Sequence, residues 1–148
     1  MKLTGLDVFD STVQRTNVWL KELIQELNWT DQRKAYLAFR CVLQTVRDVL
    51  PVSDAIRFGD QLPLLIRGFY FEHWDPSRKP PALHNRGEFL SLLACGLEAG
   101  DETFDAEVIA RGVFRLLDKK VSEGEIEDVQ HLMPPAVLDL WPPSLRAA

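Results

Sequence analysis

With 148 residues, 46% hydrophobic and 26% charged, the chain holds enough apolar material for one globular domain; a domain of this size buries roughly 68–70% of its unfolded surface. The formal charge of −5 is scattered, and Lys and Arg never exceed two in a row (Arg33-Lys34, Arg78-Lys79, Lys119-Lys120). A phosphate-tracking stripe, and with it a nucleic-acid partner, is therefore not expected. The N-terminal Met1-Lys2-Leu3-Thr4-Gly5-Leu6-Asp7 lacks an apolar h-region and no apolar run nears a membrane span, so a soluble cytoplasmic protein is expected.

The first helix is predicted from about Ser11 to Leu27, where Val13, Leu20, Leu23, Ile24 and Leu27 recur at helical spacing and Trp19 widens the stripe. A second runs from a Thr30-Asp31 cap to Leu50. Its face is Ala35, Phe39, Val42, Leu43, Val46 and Leu50, while Leu37, Ala38, Cys41 and Val49 lie off that face. A helix apolar nearly all round is a central one. Pro51 ends it, and Ser53 is placed to cap a third helix through Asp60. Pro63 suits the first turn of a fourth, ending near Gly68-Phe69-Tyr70.

Residues 71–85 form a connector with three prolines between Asp75 and His84, which forbid a helix and stiffen the segment. Asn85-Arg86-Gly87-Glu88 then has capping-box spacing and opens a fifth helix carrying Phe89, Leu90, Leu93 and Leu97. A sixth is predicted from about Thr103 to Val121, a seventh after the box Ser122-Glu123-Gly124-Glu125, and a short eighth after Pro134-Pro135, stopped by Pro142-Pro143. No segment alternates with period two, so no strand is predicted.

These elements repeat. Val42 to Tyr70 lies on Val113 to Trp141 at a constant offset of 71 residues without a gap. The matched positions are apolar ones and helix punctuation, such as Val46 with Leu117, Leu62-Pro63 with Met133-Pro134, and Tyr70 with Trp141. Phe89 stands where Trp19 stood, at an offset of 70. The expected fold is all-α, a single domain over 1–148. Two tandem copies of a four-helix unit (long, long, short, short), 11–70 and 86–141, surround a central pair, helices two and six. Gly112, aligned with Cys41, is expected to face that central interface.

Gln61-Leu62-Pro63-Leu64-Leu65-Ile66-Arg67-Gly68-Phe69-Tyr70, Trp74 just after it, and the closing Asp139-Leu140-Trp141-Pro142 resemble a bacterial family, domain of unknown function family 2267. The resemblance covers roughly residues 5 to 142. It implies a compact helical bundle and carries no catalytic or binding residues over.

Chemistry is sparse. Cys41 and Cys95, inside apolar runs and without CxxC or Cys-His spacing, read as buried free thiols. His73, Asp75 and His84 could meet across the connector, but no two share a helix-face spacing, and His131 is isolated, so neither a metal nor a cofactor is expected. No GxSxG or Cys-His nucleophile signature and no phosphate-cradling glycine run is present, so no catalytic residue is assigned. Arg40 and Arg111, 71 residues apart and flanked by apolar residues, could converge on an anion. Each is instead expected to run its stem over apolar neighbours and pair with a carboxylate of its own copy.

The densest aromatic cluster is Phe69, Tyr70, Phe71, His73 and Trp74, beside Glu72 and Asp75. Aromatics at duplicated positions more often serve the core, which suits Phe69 and Tyr70. The second copy has Pro142-Pro143 where the first has His73 with its acidic neighbours. A binding site is therefore expected on a partly exposed Tyr70–Asp75 segment, with Tyr70 and Trp74 as anchors and His73 or Asp75 giving direction. The leading functional expectation is a non-catalytic helical module acting through a protein partner or self-association. A small-ligand binder using residues 69–75 is the alternative and an enzyme the third. A concave pocket at the aromatic segment would favour the ligand, a flat apolar patch the partner.

Overall fold

Eight helices and no strand make up the described residues of the computed structural model, which are 4–97, 104–121 and 123–143. They are α1 (Asp7–Leu27), α2 (Gln32–Val49), α3 (Val52–Asp60), α4 (Leu64–Phe71), α5 (Arg86–Leu97), α6 (Ala106–Lys120), α7 (Glu123–Leu132) and α8 (Pro135–Leu138). None is long and apolar enough to cross a membrane.

The punctuation follows local chemistry. Helix α1 starts a turn before the predicted Ser11, because Asp7 and Asp10 place negative charge at its N-terminus. It ends at Asn28, which takes the left-handed conformation (φ 56°) while Trp29 N–H closes back on the Ile24 carbonyl at 3.0 Å. Asp31 caps α2 as predicted, accepting from Arg33 N–H at 2.9 Å and Lys34 N–H at 3.3 Å. Ser53 does not cap α3. That helix begins earlier, at Val52, directly behind Pro51, with no side-chain cap. Gly68 is no helix stop either, since α4 continues through it to Phe71. Asp105 caps α6, accepting from Glu107 and Val108 N–H; Thr103, its predicted start, and Ser122 of the second capping box lie outside the described residues.

The Asn85 box closes in a shifted form. Asn85 Oδ1 accepts from Glu88 N–H at 3.0 Å, but the Glu88 carboxylate reaches back to His84 N–H at 2.9 Å. That bond, foremost, holds the Glu88 carboxyl below its usual range.

Helix α2 is central, packing against α1, α3, α4, α5 and α6. Its face Ala35, Ala38, Phe39, Val42, Leu43 and Val46 is fully buried, whereas Leu37 is exposed and Cys41 half-buried. Helix α6 packs against α1, α2 and α5. Gly112 faces α1 rather than α2, because a Cβ there would lie 2.6 Å from Leu27 Cδ2. Cys41 faces α5, its sulfur 2.6 Å from where a Gly96 Cβ would stand. The small side chains thus serve the α1–α6 and α2–α5 crossings, not the α2–α6 one.

Arg111 pairs with Glu107 one turn back at 3.1 Å, as expected. Arg40 does not follow: its Nη1 donates to the Tyr36 hydroxyl at 3.3 Å and its guanidinium lies over that ring. Charge pairing concentrates instead between α1 and α6. Glu26 takes Arg115 at 2.8 Å and also Lys119, and Glu22 takes Lys120 at 2.6 Å.

Candidate functional site

A short helix ending inside a protein leaves carbonyls that need donors. At the end of α4 these come from α2. Gln44 Nε2 donates to the Phe69 carbonyl at 2.8 Å, and Arg47 Nη1 donates to the carbonyls of Tyr70 at 2.8 Å and Glu72 at 2.9 Å. A cation there also suits the negative end of the helix dipole. Arg47 is only 5% exposed, and its Nε donates to Asp48 at 2.9 Å. Its Nη2 donors meet no partner among the described residues and are not sealed from solvent.

Tyr70 is not the exposed anchor expected of it. It is fully buried, its ring edge-on to Phe58 and Phe71, its hydroxyl donating to the Ala55 carbonyl at 2.6 Å. Burial raises its pKa well beyond the usual phenol range. Tyr70 holds α4 against α3.

Past α4 the chain reverses at His73, whose φ of 60° is uncommon outside glycine. This turn throws the His73 ring outward, with Nε2 3.1 Å from Glu72. Trp74 N–H bonds back to the Phe71 carbonyl at 3.2 Å, and the half-buried indole rests on Phe71 with centroids 5.5 Å apart. Asp75 Oδ1 accepts from Ser77 hydroxyl and N–H at 2.6 and 3.0 Å, which holds its carboxyl below the usual range.

The connector then runs back along α2 and α5 and encloses a cleft of about 330 Å³. Its floor includes Gln44, Thr45, Arg47 and Asp48 from α2, and His73, Trp74 and Asp75 form one wall. Arg78 and Lys79, both exposed, stand on the rim with Pro80 and Pro81. The structure therefore brings three of the four expected site residues together and sends the fourth to the core. Such a volume suits a small ligand, with an indole as apolar wall and convergent polar groups for orientation.

Sequence reasoning missed Gln44 and Arg47. The signal available was a polar residue and a cation within the last two turns of an otherwise apolar helix, but which carbonyls they reach depends on how α4 docks.

Other candidates disperse. His84 is tied to Glu88, Nδ1 to carboxylate 3.2 Å, rather than meeting His73 and Asp75. Among the described residues no three His, Cys, Asp or Glu side chains gather to hold a metal. His131 lines a separate cavity with Arg57, Gln61 and Asp128 between α3 and α7. Cys95 is exposed, against expectation, because α5 turns it away from the core; burial raises the pKa of the Cys41 thiol.

The model of a family described as an uncharacterized conserved protein (DUF2267) matches residues 16–140. No curated protein matches the chain.

Proposed function

We propose that this chain, which belongs to the DUF2267 family of uncharacterized conserved proteins, is a non-catalytic helical binding protein that takes a small polar ligand into the cleft between α2, α5 and the 72–85 connector. The observation that carries this reading is the concavity beside Trp74: an indole wall facing a floor of Gln44, Thr45, Arg47 and Asp48. A concave, mixed-polarity cleft fits a small molecule better than a flat protein face. The test is a screen of the protein against a metabolite library by thermal shift, repeated with Trp74→Ala. Stabilising compounds that lose their effect in the variant support the reading, and compounds indifferent to Trp74 would move the site elsewhere.

A second reading, an interaction module that self-associates, draws on a different surface. Thr12 Oγ accepts from Leu65 N–H at 2.9 Å, which sets the start of α4 beside α1. Val8, Phe9, Leu64 and Leu65 stand 59%, 46%, 49% and 42% exposed around that junction. Apolar side chains so grouped favour a protein contact. Sedimentation of the wild type and of Phe9→Ser with Leu65→Ser over a range of concentrations separates a dimer from a monomer.

Two finer assignments accompany the proposal. The halves are tandem copies. In support, α2 and α6 end 71 residues apart, α3 and α7 begin 71 apart, and α4 and α8 do the same. The α1–α6 crossing is matched by α5–α2, and α1–α4 by α5–α8. The protein works in the cytoplasm, a compartment that suits its two unpaired thiols.

A further inference from the structure

Resting on the ligand-binding reading, we infer that what the cleft holds is an oxyanion, a carboxylate or a phosphate, received by the free edge of the Arg47 guanidinium. The side chain of Arg47 is 6% exposed, yet only its Nε and Nη1 are engaged, on Asp48 and on the Tyr70 and Glu72 carbonyls. These bonds lock the guanidinium plane and leave Nη2 as the open donor of a residue that lines the cleft. A guanidinium fixed in this way needs no further ordering to meet a planar carboxylate or a phosphate.

The acidic groups facing the same space are committed. Asp48 accepts from Arg47 Nε, and Asp75 accepts twice from Ser77. Arg78 and Lys79 on the rim add positive charge above the floor. Trp74 offers an apolar wall to the remainder of the molecule, so the fitting ligand carries an anionic head and an unsaturated or aliphatic body. Neither Arg40 nor Arg111 contributes, since Tyr36 and Glu107 occupy them.

Benzoate, inorganic phosphate and neutral benzamide serve as probes, titrated to high millimolar concentration into ¹⁵N-labelled full-length protein at constant ionic strength. Backbone amides of residues 44–52 and 73–81 and the Arg47 Nε–H are followed. The expected result is saturable shifts of the Arg47 Nε–H and the cleft amides with benzoate or phosphate. Benzamide should bind roughly tenfold more weakly. Response to phosphate alone identifies a phosphate source, and response to benzoate alone a carboxylate. Arg47→Gln should abolish the anion response. Because that variant also loses the α4 carbonyl bonds, Arg78→Glu with Lys79→Glu is measured beside it, expected to keep the fold and weaken anion binding roughly fivefold. Benzamide binding the cleft as tightly as benzoate would overturn the oxyanion and leave the ligand reading standing. No cleft response to any of the three probes would overturn both.

Discussion

Arg47 Nη1 and the Tyr70 carbonyl oxygen lie 2.8 Å apart, joining the last turns of α2 to the end of α4. Seventy-one residues further along, the same two positions are joined with the roles reversed: Trp141 Nε1 donates to Asp118 Oδ1 at 3.2 Å. The first link fixes where the connector leaves the core, and therefore where the cleft opens. Arg47→Ala would strip donors from the Tyr70 and Glu72 carbonyls and is expected to cost about 3 kcal/mol in chemical denaturation. Arg47→Lys should recover only part of that, because an ammonium cannot keep Asp48 and both carbonyls in one plane.

Tyr70 and Trp74 separate core from site. Tyr70→Phe removes only the hydroxyl bond to Ala55 and should cost about 1 kcal/mol of stability without changing cleft binding. If it weakened ligand binding as Trp74→Ala does, the division between them would be wrong.

The double variant His73→Ala with Trp74→Ala addresses the wall itself. Both side chains lie outside the fully buried core, so the circular dichroism spectrum should stay helical. Affinity for a ligand found by screening should fall about tenfold. A folded variant with unchanged affinity and unchanged partners in a pulldown would remove this face from consideration.

Two glycines on neighbouring helices should respond oppositely to alanine. A Cβ on Gly59 would lie 2.6 Å from Phe71 Cζ and 2.9 Å from Tyr70 Cε2, ring atoms packed too tightly to yield. Gly59→Ala is expected to destabilise by about 1–3 kcal/mol. Gly68, exposed in α4, has nothing within 4 Å of its missing Cβ. Gly68→Ala should therefore stabilise by about 0.5–1 kcal/mol through helix propensity and a less flexible unfolded chain. Thermal denaturation of the pair decides it.

The α1–α6 charge cluster makes stability depend on pH. Hydrogen bonds from Lys119, and next from Arg115, hold the Glu26 carboxyl below its ordinary 4.5. A depressed folded pKa contributes stability that is present above 4.5 and lost as pH falls through the lower folded value. Urea midpoints should fall across that window in the wild type. In Glu26→Gln the acid loss should be smaller, and the midpoint near neutrality lower. An identical acid profile in the two proteins would show that Glu26 is not the group responsible.

The helices and their central member were legible in the residues because helix formation is governed by near neighbours. A 3.6-residue apolar period, an Asp31 or Asn85 cap and a Pro51 or Pro63 stop each act within a turn or two of chain. The repeat offset and the exposed connector were legible for the same reason. What the residues alone left open was every contact that depends on docking. Tyr70 looked like a surface anchor beside Trp74, yet α3 and Phe71 close over it and Ala55 takes its hydroxyl. Gly112 was aligned with the right helix and assigned the wrong neighbour, since its crossing partner is α1. Arg47 looked like one more polar residue of α2, until α4 ended against it with carbonyls to satisfy. Burial and hydrogen-bond partnership are decided by how helix faces meet, and those faces come together across 23 to 98 residues of chain, from Arg47–Tyr70 to Glu22–Lys120. Local periodicity states which side of a helix is apolar; only the tertiary arrangement decides which polar group on that side finds a partner and which is left facing a cleft.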